Sequence, residues 1–269
     1  MTPIAYGPAA QQFAELRLPS GDGPFPVVVV IHGGCWVEYA SAAYTARLAA
    51  ALTEKGFATW NLEYRRGHEE GGGWPGTFQD VGRGVDALRD AAAKYPLDLG
   101  RVVVMGHSAG GQLALWTAAR WRMPLNSELH TDDPLRLQGA LSLAGIIDMR
   151  VYLDRGLERC AAGELRVMGG DYRQYPERYA QVSPAELLPL GVPQCLIWGD
   201  HDEIVPEELF ADYEQRAQSA GDLVHVVRMA NAGHHEVCSA EEPGVGEIVK
   251  ALQMLMSLDS KAKSKRALQ

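Results

Sequence analysis

Short runs of β-branched and apolar residues alternate along the chain with longer stretches whose apolar positions recur every three to four residues. The short runs predict strands at residues 14–18, 27–31, 58–61, 102–105, 140–143, 195–198 and 224–228. The periodic stretches predict helices over 42–55, 79–94, 110–120, 207–220 and 245–258. Alternation of this kind builds βαβ units and a mostly parallel sheet, an α/β fold with helices on both faces. Residues 27–31 and 102–105 are apolar at every position, as strands covered on both sides must be. Gly56 and Gly221 stand just past two predicted helices, where a left-handed C-cap is wanted. Thr77 and Asp80 are candidate capping residues for the start of the second helix.

Two segments, 121–137 and 149–193, break the alternation. The second is too long for an ordinary connection and is expected to form a small cap-like insertion of helices that shapes a pocket. No repeat or linker divides the chain, so residues 1–259 read as a single domain and the polar, basic stretch 260–269 as a flexible tail.

Composition narrows the function classes. Of 269 residues, 46% are apolar and 22% charged, an ordinary globular balance that argues against disorder. The net charge of −9 leaves no basic face for a nucleic acid or an anionic membrane, so neither is an expected partner. No apolar run approaches membrane-spanning length, and the N-terminal residues carry no secretion signal, which makes cytoplasmic the expected location. The four cysteines, Cys35, Cys160, Cys195 and Cys238, lack zinc-site spacing, and a disulfide framework is not expected.

The chemistry is carried by three stretches. Gly106-His107-Ser108-Ala109-Gly110 joins a buried strand to an apolar helix, the setting a nucleophile elbow needs. Glycines two residues either side of the serine allow a strained turn to pack against neighbouring backbone. A serine needs a histidine to take its proton and an acid to orient that histidine, following in the order Ser, Asp, His at later strand ends. Asp200, Asp202 and Glu203 follow the strand at 195–198, and His234 and His235 follow the one at 224–228. Strand-end spacing favours Asp202, and the glycine before it favours His234, with His235 packing beside it. His107 is expected to pack or bond beneath the serine, and no histidine pair has metal-ligand spacing on a helix. The third stretch, His32-Gly33-Gly34-Cys35-Trp36, directly follows the strand at 27–31. Its bared amides at Gly34 and Cys35, joined by that of Ala109, are the expected oxyanion donors. Cys35 would act through its backbone, without thiol chemistry.

With these residues in place the chain resembles the α/β-hydrolase superfamily, and within it the esterase and kynurenine-formamidase-like branch, whose oxyanion loop reads H-G-G-x-W. The likeness runs from about residue 6 to 258 and includes Asn61-Leu62-Glu63-Tyr64-Arg65-Arg66, Trp74-Pro75-Gly76 and Gly106-His107-Ser108-Ala109-Gly110-Gly111. It implies a Ser108–Asp202–His234 triad, an oxyanion hole of Gly34, Cys35 and Ala109, and no cofactor or metal. It also suggests Trp36 as a wall of the substrate pocket, with a buried packing role as the alternative. Formamidases of the branch often carry tyrosine where Cys35 stands, a departure that weakens the likeness to them. The expected activity is hydrolysis of small carboxylic esters through an acyl-enzyme on Ser108; the alternative is cleavage of N-formylkynurenine or another small amide or acyl-peptide. A non-catalytic binding protein on the same fold would be expected to have lost one of these residues, and none is missing. Composition and motifs leave the oligomeric state open.

Overall fold

The computed structural model describes residues 1–37, 40–156 and 158–266. Its centre is an eight-stranded sheet of β1 (Thr2–Ala5), β2 (Phe13–Arg17), β3 (Phe25–Ile31), β4 (Ala58–Leu62), β5 (Leu97–His107), β6 (Gly139–Leu143), β7 (Gln194–Gly199) and β8 (Val224–Met229). The spatial order is β1-β2-β4-β3-β5-β6-β7-β8. β1, β2 and β4 pair antiparallel, and every pair from β4 across to β8 is parallel. Chain direction therefore gathers the C-terminal ends of β3, β5, β7 and β8 along one edge, where open α/β sheets bind ligands.

The alternation of side chains along β3 divides the core in two. Val27, Val29 and Ile31 face one layer with Phe78, Val81, Leu113, Trp116, Leu209 and Phe210. These come from α2 (Gly76–Asp86), α4 (Ala109–Ala118) and α8 (Glu207–Ser219). Val28 and Val30 face the other layer, with Leu48 and Leu52 of α1 (Ala42–Glu54) and Ile248, Leu252 and Leu255 of α9 (Gly244–Arg266). Residues buried on both sides have no polar position to alternate, which is why this strand reads as an unbroken apolar run.

All seven predicted strands occur. The eighth, β1, is an exposed antiparallel edge of four residues that carries no apolar alternation to read. The helix expected at 79–94 starts earlier, at Gly76, and divides at Ala87 into α2 and α3 (Leu88–Ala92). Thr77 and Asp80 consequently lie inside it and do not cap it. Thr77 Oγ1 accepts from the Gly73 N–H at 2.9 Å and donates to the Arg65 carbonyl, and Asp80 is fully buried against Arg65 at 2.7 Å. Gly56 and Gly221 adopt φ of 95°, as their places after α1 and α8 require. α9 continues to Arg266, so helix extends into the stretch expected to fray; its Lys, Ala and Arg residues are good helix formers. Residues 267–269 lie outside the described residues.

Between β6 and β7 the long insertion forms α5 (Met149–Asp154), α6 (Glu158–Met168), α7 (Pro176–Val182) and a short 3-10 turn, Pro184–Glu186. α6 lies directly on the loop after β3: a Cβ at Gly163 would fall 2.1 Å from the Cys35 carbonyl oxygen. Here the expectation from the cysteines needs correction, because Cys35 is disulfide-bonded to Cys160 on α6. The partners stand 125 residues apart, and only the packing of the insertion brings them together. Disulfides persist in oxidising surroundings, so cysteine usage no longer supports a reducing compartment. Among the described residues no helix is long and apolar enough to cross a membrane.

Cys160→Ser should lower unfolding stability by about 2–4 kcal/mol through the freed denatured chain. Denaturant midpoints of the oxidised wild type and the variant check this, and equal midpoints would show that the bond adds nothing.

Candidate active site

Ser108 lies between β5 and α4 at φ 56° and ψ −121°, a region in which a residue with a side chain is strained. Three hydrogen bonds hold it there. Its N–H donates to Leu143 O at 2.8 Å, and its carbonyl accepts from Gly111 N at 2.8 Å and Gln112 N at 3.2 Å. The flanking glycines are steric necessities: a Cβ at Gly106 would sit 2.0 Å from Gly110 O, and one at Gly110 would sit 2.2 Å from Ile31 O.

The loop after β3 runs against this turn, with Gly33 so close that an added Cβ would stand 3.1 Å from Ser108 Cβ. Gly34, Cys35 and Trp36 follow at φ of 102°, 52° and 59°, closed by a bond from Val37 N to Gly34 O at 3.0 Å. Among the described residues, the N–H groups of Gly34, Cys35 and Ala109 make no hydrogen bond. Trp36 takes the packing role: it is fully buried and donates its indole N–H to Gln112 Oε1 at 3.0 Å. An indole without accessible surface does not present an open pocket wall.

Beneath the loop is a buried polar frame. His32 Nε2 lies 3.0 Å from Glu63 Oε1, and its ring stacks on Tyr64 at 4.3 Å. The Tyr64 hydroxyl donates to His32 O at 3.0 Å. Glu63 also accepts from Ala42 N at 2.9 Å and from Tyr64 N at 3.0 Å. Burial pushes the Glu63 carboxyl up, but the bonds from His32 and the two backbone N–H groups outweigh it and hold the group below the usual range.

On the opposite side, the loops after β7 and β8 bring Asp202 and His234 together. Asp202 Oδ2 is 2.8 Å from His234 Nδ1, and Asp202 Oδ1 accepts from Ile204 N at 2.8 Å and Val205 N at 2.9 Å. The competing acids are elsewhere: Asp200 Oδ1 is buried, 4.0 Å from His201 Nε2 and with no hydrogen bond among the described residues, and Glu203 is exposed. His235 turns from Asp202 toward Tyr44. His107, next to the serine, bonds through Nε2 to the His234 carbonyl at 2.7 Å and so joins the elbow to the histidine loop. No hydrogen bond joins the Ser108 hydroxyl to His234 among the described residues; such contacts often tighten only when substrate binds. No group of three metal-ligating side chains occurs among the described residues.

One buried group escaped the sequence reading. Glu164 of α6 is wholly buried, neither carboxyl oxygen makes a hydrogen bond among the described residues, and burial, then Asp148 and Asp171, pushes it well above the usual carboxylate range. A helical glutamate reads as solvent-facing, and only the packing of the insertion shows otherwise.

A strand-turn-helix serine, free amides beside it and an Asp–His pair at the same sheet edge define the α/β-hydrolase class. The profile of the family described as BD-FAE matches residues 15–215, and the chain belongs to that family. It is 24% identical to "Esterase LipC" of Mycobacterium tuberculosis, over 86% of this chain and 58% of that protein. It is 26% identical to "Isoprenylcysteine alpha-carbonyl methylesterase ICME" of Arabidopsis thaliana, over 87% of this chain and 56% of that one. The chain thus spans about half the length of the curated relatives it matches. Among solved structures, a truncated carbohydrate esterase from gut microbiota superposes with a TM-score of 0.80 at 20% identity, covering 96% of each chain. Esterase B from Lactobacillus rhamnosis, inhibited by a tributyrin phosphonate, gives 0.81 at 19% identity, covering 98% of this chain and 88% of its own.

Because the Glu63 carboxyl is held low when folded, its stabilising contribution is complete above the unfolded carboxylate value, about 4.3, and is lost as pH falls through the folded one. Glu63→Gln should therefore cost about 1.5–3 kcal/mol at pH 7 and less under acid conditions. Thermal melts of both proteins at pH 7 and under acid conditions test this; a gap that does not narrow with acid would count against it.

Proposed function

We propose that the protein is a serine carboxylic-ester hydrolase of carboxylesterase type, working through an acyl-enzyme on Ser108. The observation that carries this reading is the 2.8 Å Asp202–His234 bond at the sheet edge that holds the elbow. With Nδ1–H donated to Asp202, the Nε2 of His234 is left bare to act as a base. His234 takes the Ser108 proton as Oγ attacks the ester carbonyl. Asp202, whose other oxygen is tied to two backbone N–H groups, holds the imidazolium that results. The negative carbonyl oxygen rests on the free N–H groups of Gly34, Cys35 and Ala109, each such donor being worth about 2.7–4 kcal/mol in the transition state. The C–O bond then breaks, and His234 returns the proton to the departing alcohol. Water repeats the cycle: it yields a proton to His234, attacks the acyl carbon and frees the acid and Ser108.

Access favours small acyl groups. Ser108 is 3% exposed and His234 7%, and α6 is bonded onto the oxyanion loop. One solved esterase of the same fold, Est2 of Thermogutta terrifontis, is described with propionate and with butyrate bound, which fits a substrate with a short acyl chain. The named relatives are esterases and a methylesterase, and nothing in the site favours the amide alternative.

Purified protein should hydrolyse p-nitrophenyl acetate and butyrate and take up a fluorophosphonate probe on Ser108. Ser108→Ala should abolish both, and His234→Ala should lower kcat by about 10³-fold or more. Unchanged labelling in Ser108→Ala would remove the nucleophile assignment.

A further inference from the structure

Two residues outside the triad occupy a hydrogen-bond chain that ends on the His234 carbonyl, where the direction is fixed. His107 closes β5 and is 2% exposed, enclosed by the elbow, the loop after β3 and the histidine loop. A carbonyl oxygen can only accept, so the 2.7 Å contact between His107 Nε2 and His234 O places the proton on Nε2. Burial first, and then the nearby His234, push this ring well below the ordinary histidine range, so it is neutral and Nδ1 is bare. Nδ1 must therefore accept, and the Tyr44 hydroxyl stands 3.1 Å away. Burial also pushes the Tyr44 phenol upward, so its proton stays in place. Tyr44 Oη also stands 3.2 Å from His235 Nδ1. The Cys238 thiol, pushed by burial to about 12, lies against the same hydroxyl and remains protonated.

We propose that Tyr44 and His107 are positioning residues for hydrolysis: Tyr44 holds the His107 ring in place through its bare Nδ1, and His107 anchors the carbonyl of His234. This rests on reading His234 as the general base. In the other tautomer, Nε2 would turn a lone pair on the His234 oxygen at 2.7 Å, and the resulting repulsion would push the histidine loop from the elbow. His234 spans Asp202 and Ser108, so a shift of its backbone tilts the imidazole away from the serine. Displacements near 1 Å in such sites cost rate by up to about a hundredfold. Gly33 belongs to the same device, because a Cβ there would stand 3.3 Å from His107 Nδ1 and 2.7 Å from His107 O. The contact thus ties the base to the elbow and to the oxyanion loop together.

The test compares kinetics on p-nitrophenyl butyrate with thermal melts and with the downfield proton signal of His234 Nδ1–H. Tyr44 is 41% exposed, so Tyr44→Phe removes a hydroxyl without opening a buried hole. It should lower kcat by about five- to twentyfold, leave KM and the melting temperature nearly unchanged, and broaden the His234 signal. His107→Gln, which keeps an N–H for the His234 carbonyl, should retain more than about a third of kcat, whereas His107→Leu should lose at least about tenfold. Wild-type kcat in Tyr44→Phe, or equal rates in the Gln and Leu variants, would overturn the proposal. His234→Ala serves as the separate control: near wild-type turnover there would refute the base assignment itself, whatever Tyr44 shows.

Discussion

The close approach of two backbones is the constraint on which the rest of the site depends. β3 and β5 run parallel with Ile31 opposite Gly106, so the turns leaving both strands meet at one edge. They can meet only because positions 33, 106 and 110 lack side-chain atoms; at each of the last two, a Cβ would fall within 2.2 Å of a carbonyl oxygen. That contact sets Ser108 beside the free amides of Gly34 and Cys35. The strain of a serine at φ 56° is of order 1–3 kcal/mol and is offset by the bonds to Leu143, Gly111 and Gln112.

Around this contact the protein commits rigid, fully bonded groups to holding loops in place. Glu63 binds the loop after β3 to the start of α1 through His32 and Ala42, and Tyr64 closes the frame by stacking on His32. Asp202 is held by two backbone N–H groups before it meets His234. Across the site, the Cys35–Cys160 bond and the seat for Gly163 hold α6 against the oxyanion loop. Among the described residues the amides of Gly34, Cys35 and Ala109 make no hydrogen bond, and in the proposed reaction they would receive the developing negative charge. Preorganisation of this kind costs nothing at the moment of reaction, because the dipoles are already aimed.

The sequence was most legible where local chemistry and global position agree. Val27–Ile31 reads as a strand covered on both faces, and Ser108 between its glycines reads as a tight strand-to-helix turn because a buried strand precedes it and an apolar helix follows; both occur. Asp202 was separable from Asp200 and Glu203 by its distance from the strand end, and the bond to His234 falls on that residue. Trp36 was ambiguous because an indole suits a pocket wall and a core equally; the partner that places it in the core, Gln112, is on another element.

Elements that depend on contacts remote in sequence were not readable. Chain order and residue type determined the alternating architecture, the elbow and the order of serine, acid and histidine, because each follows from periodicity or from a steric need within a few residues. Folding alone decided that Cys35 meets Cys160, that Asp80 serves Arg65 instead of a helix start, and that Tyr44 reaches His107 across 63 positions. Such pairings are selected by which helices pack on which sheet face, a property of the whole core that no local stretch encodes.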